Sequence, residues 1–201
     1  MDFTTVKGNL EKNGFQVSVF ETAKEAADYL DKEIDGATIG IGGSVTIQDM
    51  GLYDLLSKHN DIYWHWNNIP GLDKQETYKR AQVADIYFSS VNGLAETGEI
   101  INIDGTCNRV SAIMYGHKKV YLIVGANKLA PDYDSALYRA RNIAAPLNAQ
   151  RLNRKTPCAE KADKCYNCTS PDRICNGLSV LWKKPGGSDF EVVLINENLG
   201  Y

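Results

Sequence analysis

Apolar positions recur along this chain with two periods, and the two take turns over the first 150 residues. FQVSVF, residues 15–20, alternates between faces as a strand does. Ala23, Ala26, Ala27, Leu30 and Ile34 then repeat at helical spacing behind Thr22-Ala23-Lys24-Glu25, a capping-box sequence. The β-rich run 37–41 ends in Gly42-Gly43-Ser44 and feeds a helix through Leu55 and Leu56, across Gly51, which costs about 1 kcal/mol in a helix interior. Residues 62–66 read as a strand, 72–84 as a polar-rich helix and 86–89 as a short strand. Residues 97–103 read as extended, and Asp104-Gly105-Thr106 introduces a helix carrying Val110, Ile113 and Met114 that Gly116 ends. Val120–Val124 is the clearest buried strand. Tyr133, Ala136, Leu137, Ala140, Ile143, Ala144 and Leu147 form the apolar face of a long helix, which Pro146 is expected to kink or end because it lacks an amide donor. A short helix over residues 1–13, closed by Asn13-Gly14, opens the chain.

Strands and helices alternating through short connections predict an α/β fold: an open, mostly parallel sheet with flanking helices. The alternation runs to about residue 152. Residues 153–177 are polar, contain Pro157 and Pro171, and hold four cysteines; residues 178–182 and 190–195 then return to strand character. That last pair is expected to form a hairpin or to lie side by side in the sheet. The expected organisation is one α/β domain over residues 1–201, with 153–177 as an inserted, cysteine-rich, metal-binding loop. The 201 residues, 43% hydrophobic and 23% charged, suffice for such a core. A net charge of -3 argues against a nucleic-acid surface but leaves room for a local basic pocket. No apolar run approaches the roughly 20 residues of a membrane-spanning helix. The opening MDFTTVKGNLEKNGF is not a secretory signal, and a cytoplasmic location is expected.

Candidate chemistry gathers at the junctions after strands, where ligands of open α/β sheets bind. Gly42, Gly43 and Ser44 form one such turn, where backbone can approach a ligand closely. Asn92 opens a second. Gly105, Thr106, Asn108 and Arg109 make a third, and Asn127 and Lys128 follow the strongest strand. Together they predict a polar pocket for a small carboxylate or an anionic cofactor, with Arg109 as a bidentate clamp and Lys128 as a point charge. Asp104 capping its helix, or Arg109 pairing with Glu96 or Asp104, is the structural alternative. Glu96, between two glycine turns, is the candidate general base or carboxylate nucleophile. Cys107 reads as a small core residue, and His65, inside Tyr63-Trp64-His65-Trp66, as a structural histidine that a pocket could also use.

Cys158, Cys165, Cys168 and Cys175 follow the spacing C-x6-C-x2-C-x6-C, the strongest chemical signal in the chain. Four thiolates can hold an iron–sulfur cluster or structural zinc, and two disulfides are a third arrangement. A zinc ribbon presents two close pairs. Here there is one close pair with prolines at its flanks, which favours iron–sulfur.

GGSVTIQDMGL (42–52), NGLAETGEI (92–100), IDGTCNRVSAIMYG (103–116) and VYLIVGANKL (120–129) resemble segments of the lactate utilisation (LUD) domain family. The cysteine-rich tail is similar to that of a subgroup found in anaerobic and other bacteria. It departs from the short lactate utilisation protein C, where the segment is not a defining feature. The resemblance implies a fold related to glucosamine-6-phosphate deaminase, ribose-5-phosphate isomerase and CoA transferases, and an association with L-lactate oxidation by multi-subunit iron–sulfur proteins. It therefore implies a [4Fe–4S] cofactor and a redox protein partner. It also leaves open a metal-independent isomerase or acyl/CoA-transfer enzyme, and a noncatalytic assembly module with structural zinc. Glu96 falls at the glutamate position of the family pattern.

Overall fold

The two periods resolve, in a computed structural model describing residues 2–201, into the order α1 (Thr4–Lys12), β1 (Gln16–Phe20), α2 (Ala23–Glu33), β2 (Thr38–Ile41), α3 (Val45–Asp49), α4 (Leu52–Leu56), β3 (Asp61–Trp64), α5 (Lys74–Val83), β4 (Ile86–Ser90), β5 (Gly93–Ala95) and β6 (Ile100–Asp104). There follow α6 (Asn108–Met114), β7 (Lys119–Gly125), a 3-10 turn (Ala126–Lys128), β8 (Leu129–Ala130), α7 (Tyr133–Arg139), a π-helical turn (Ala140–Ala144), α8 (Ala145–Arg151), α9 (Pro157–Lys161), β9 (Gly177–Leu181) and β10 (Asp189–Ile195). Thr22 and Glu25 form the expected reciprocal capping box on α2. No helix among the described residues is long and apolar enough to cross a membrane.

Two sheets form. Six parallel strands run in the order β1-β10-β7-β4-β2-β3. A smaller mixed sheet runs β8-β5-β6-β9, with β5 parallel to β8 and antiparallel to β6, and β6 antiparallel to β9. Val6 and Leu10 of α1, Ile113 of α6 and Leu94, Ile100 and Leu181 of the small sheet pack on one face of the large sheet. Leu30 of α2, Ile47 of α3, and Leu52 and Leu56 of α4 cover the other. Ala136 and Ala140 close the far side of the small sheet over Ala95, Ile101 and Ala130. At Gly40 the backbone of α5 comes so close that a Cβ would lie 2.2 Å from the Ala81 carbonyl oxygen.

Several expectations are corrected. The last two strands do not pair: β10 enters the large sheet between β1 and β7, and β9 joins β6 in the small one. The reason lies in their faces. Residues 190–195 are buried on both sides, as a central parallel strand requires, whereas β9 alternates and exposes Leu178. The helix after Ser44 breaks in two at Gly51, whose φ of 63° is left-handed. The extended run begins only at Ile100; Ala95 to Gly98 form a turn closed by Gly98 N–H to Ala95 O at 2.9 Å, and residues 93–95 are a strand in their own right. Pro146 ends no helix. Helical backbone continues from Tyr133 to Arg151, and the π turn just upstream takes up the irregularity.

Within the large sheet Glu191 is buried and accepts from Ser18 Oγ (2.7 Å), Tyr29 Oη (2.8 Å) and Lys119 Nζ (2.8 Å). Burial alone would raise its carboxyl pKa, but the hydrogen bonds from Lys119, Ser18 and Tyr29 outweigh it and leave it lowered. A lowered carboxylate stabilises the fold above its unfolded pKa and loses that contribution as pH falls through the folded one. Glu191→Gln is therefore expected to remove about 2 kcal/mol at neutral pH and to flatten the acid limb of the stability curve, measured by urea unfolding from neutral to acid pH.

Candidate functional site

The carboxyl ends of β2, β4 and β7 open onto a cleft of about 320 Å³. Its far side is built by the end of β6, by α8 and by Ile174 of the cysteine segment, and His65, Trp66 and Tyr78 form an aromatic wall. The structure brings Gly43, Ser44, Asn92, Gly105, Thr106, Asn108, Arg109 and Lys128 to this one cavity. Gly42 sits behind the lining, where a Cβ would come within 2.7 Å of Arg109 Cγ and 2.9 Å of Tyr87 Oη. Asn127 faces the last residues of the chain, donating to Gly200 O (3.1 Å) and accepting from Leu199 N (3.2 Å). Glu96 is not brought to the cleft. It lies on the turn after β5, where its backbone oxygen accepts from Asn9 Nδ2 at 2.7 Å.

Arg109 does not present a free fork. Its side chain is 11% exposed, and its terminal nitrogens donate to Ser90 O (3.3 Å), Asn102 Oδ1, Asn92 Oδ1 (3.1 Å) and Ile103 O (2.7 Å). Nε lies 3.8 Å from Asp104 Oδ2. Asp104 in turn accepts the backbone N–H groups of Thr106, Cys107, Arg109 and Val110 at 3.1–3.2 Å, satisfying the start of α6. The expected partnership with Glu96 is absent, and the one with Asp104 is present. Arg109 thus ties β4, β6 and α6 together in the wall of the cleft, its guanidinium engaged by protein oxygens. Cys107 is half-buried at a left-handed φ of 61°, and Gly177 leaves the room its Sγ needs, since a Cβ there would collide with it.

Lys128 is 4% exposed, on the turn after β7. Its Nζ lies 2.8 Å from Thr46 Oγ1 and 2.8 Å from Ser90 Oγ. Burial, with repulsion from Arg139 and Arg109 and a weaker opposite pull from Asp49, brings its ammonium down to about 7. His65 stacks on Tyr78 with ring centroids 4.5 Å apart, and burial, reinforced by Lys74, takes its imidazole down to about 4, so it is neutral at neutral pH. The lining holds five basic side chains, Lys74, Arg109, Lys128, Arg151 and Arg154, against one acidic side chain, Asp104. Such a cleft attracts anions. Sequence reading missed Thr46, Lys74, Tyr78, Ser90, Arg151 and Arg154. The polar end of an otherwise buried strand was the available signal for Ser90, and the basic residues at the end of the long helix for Arg151 and Arg154.

The four cysteines of the C-terminal segment line one small cavity, closed on its inner side by Ala145, Pro146 and Ala149. All are free thiols and none is fully buried. Cys165 Sγ accepts from Asn167 N (3.3 Å) and lies 3.9 Å from Arg141 Nη2; Cys175 Sγ lies 3.4 Å from Arg173 Nη2. Among the described residues no group of three or more His, Cys, Asp or Glu is gathered tightly enough to hold a metal ion. The cysteine cavity and the cleft share walls. Ile174 lines both, and α8 turns Asn148 and Arg151 to the cleft, with Leu152 just after it, and Ala145, Pro146 and Ala149 to the cysteines.

Comparison with known proteins bears on the whole chain. Among solved structures it is similar to a DUF162 family protein from Deinococcus radiodurans, at 12% identity and a TM-score of 0.52, covering 97% of this chain and 99% of that one. That likeness concerns the fold alone. A weaker likeness, at a TM-score of 0.32 and 14% identity, is to eIF2B beta from Chaetomium thermophilum, over 65% of this chain and 39% of that one. No curated protein matches. The LUD domain model matches residues 4–195, and the chain belongs to the LUD domain family.

Proposed function

We propose that the protein is a cytoplasmic redox accessory protein of this family, in which an iron–sulfur cluster on Cys158, Cys165, Cys168 and Cys175 stands beside a cleft for a small carboxylate or other small organic anion. The setting is oxidation of lactate or a related 2-hydroxy acid, with a redox protein partner. The observation that carries this reading is the shared wall: the cysteine cavity and the cation-lined cleft meet at Ile174 and α8. The donor set fits a cluster. A single zinc draws four ligands to about 2.3 Å from one point, whereas a cluster spreads one thiolate to each iron. The four thiols line one cavity, and the single close pair Cys165–Cys168 supports the second arrangement. When bound, the cluster supplies one-electron chemistry. The chain's own part is to orient the sulfurs through Asn167 N–H, Arg141 and Arg173, and to attract the anion through Lys74, Arg151 and Arg154. Kinship to the glucosamine-6-phosphate deaminase and CoA-transferase fold goes with this reading, supported by the cleft at the strand carboxyl ends.

Anaerobic reconstitution with iron and sulfide tests it. About four irons and four sulfides per chain are expected, with a paramagnetic resonance signal after reduction. Cys165→Ser and Cys168→Ser are each expected to lose most of that metal and to loosen the C-terminal segment in hydrogen exchange. One zinc and no iron per chain after the same treatment rejects the cluster and leaves a structural-zinc assembly module.

A further inference from the structure

We propose that Ser90 and Lys128 form a nucleophile–base pair at the floor of the cleft, serving acyl transfer or hydrolysis of a small activated acyl compound that carries an anionic group.

The hydrogen bonds hold the pair within reach of proton transfer. Thr46 Oγ1 donates to Leu199 O (3.2 Å), so it accepts from Lys128 Nζ at 2.8 Å. Ser90 Oγ has one partner among the described residues, Lys128 Nζ at 2.8 Å. As a neutral amine Nζ donates to Thr46 and accepts the Ser90 proton, and both Ser90 and Lys128 line the cleft. This is the arrangement in which an adjacent base activates a serine. The charges around Nζ favour the neutral form too. Arg109 from α6 and Arg139 from α7 face it, with Asp49 of α3 opposing them, and no carboxylate is paired with it.

The surroundings suit acyl chemistry. Ser90 ends β4, and both residues line the cleft at strand carboxyl ends. Asn92 lines it as well. Its Oδ1 is occupied by Ile103 N (2.8 Å) and Arg109 (3.1 Å), while its Nδ2 donates to no protein group among the described residues and is available to a developing oxyanion. Lys74, Arg151 and Arg154 set the anionic requirement on the substrate. In the reaction Ser90 Oγ bonds to the acyl carbon and passes its proton to Lys128 Nζ. The bond from acyl carbon to leaving group breaks, and the leaving group takes that proton. Water, or an acceptor nucleophile, then attacks the acyl-serine, its proton passing through Lys128 as Ser90 is restored. No electrons are exchanged, so the activity is independent of the cluster reading.

Metal-loaded full-length protein is incubated with a fluorophosphonate probe, mapped by mass spectrometry, and assayed for phosphate release from acetyl phosphate. The expected result is a covalent adduct on Ser90. Adduct formation and phosphate release both fall at least about 100-fold in Ser90→Ala and in Lys128→Arg, which keeps a long basic side chain but stays protonated and cannot serve as base. Circular dichroism checks each variant. Because the reaction needs the neutral amine, the wild-type labelling rate is expected to rise with pH through about 7. Absence of a Ser90 adduct on the folded protein overturns the proposal. So does an equal labelling rate in Lys128→Arg, or, without recourse to any variant, a flat rate from about pH 6 to about pH 9.

Discussion

Arg109→Met is expected to lower the stability of the protein by about 3–5 kcal/mol, the range for removing one partner of a buried, hydrogen-bonded charge. The variant strips donors from the carbonyls of Ser90 and Ile103 and from the side chains of Asn92 and Asn102, and leaves Asp104 without its cation. Arg109→Lys should recover only part of the loss, because an ammonium cannot reproduce four N–H bonds in the plane of a guanidinium. The sequence pattern points to the opposite ranking, a clamp whose loss weakens ligand binding more than folding. Urea unfolding followed by circular dichroism separates the two: an unchanged midpoint in Arg109→Met would return the residue to ligand binding.

The second large effect is expected at Gly40. Its virtual Cβ lies 2.2 Å from Ala81 O and 2.9 Å from Tyr87 Cδ2, and the first of these is helix backbone with no rotamer to yield. Gly40→Ala must therefore push α5 off β2. The cost should reach the upper end of the roughly 1–3 kcal/mol seen for overpacked cores. Tyr78, on α5, is carried with it, so the aromatic wall of the cleft should open as well. Thermal unfolding measures the first effect. Near-ultraviolet circular dichroism, sensitive to the packing of Tyr78, His65 and Trp66, measures the second.

Local chemistry made much of the large sheet legible: Thr22 to Glu25 capped a helix, and uninterrupted apolar runs marked β7 and β10. The small sheet was not, because its pairings join β5, β6, β8 and β9 across up to about eighty residues, and the three residues of β5 carry too little pattern to stand out from the turns beside them. The same split holds for the site. Glycine turns after strands point to the cleft because parallel strands all end on one edge. Which side chains reach it depends on orientation, and orientation sent Glu96 to an outer turn while recruiting Ser90 and Thr46. The electrostatic role of Arg109 was equally hidden. An arginine near a helix start reads alike whether its partners are a ligand or the oxygens of Asn92, Asn102 and Asp104.

The π turn at Ala140–Ala144 sets the phase of everything after it. Each residue of an α-helix advances the azimuth by about 100°, and a π turn holds more residues per turn than the α-helix around it. Deleting one residue there, so that regular α-helix resumed, would rotate α8 by about that angle relative to α7. Positions now facing the cleft, Asn148 and Arg151, would swing off it, while Ala145 and Ala149 would no longer back the cysteines. The small sheet packs on Ala136, upstream of the turn, and on Ala140, its first residue, so its anchorage lies at the start of the irregularity. This single irregular turn works as a coupling between two gears, letting one continuous helix mesh with the sheet at one end and with two different cavities at the other.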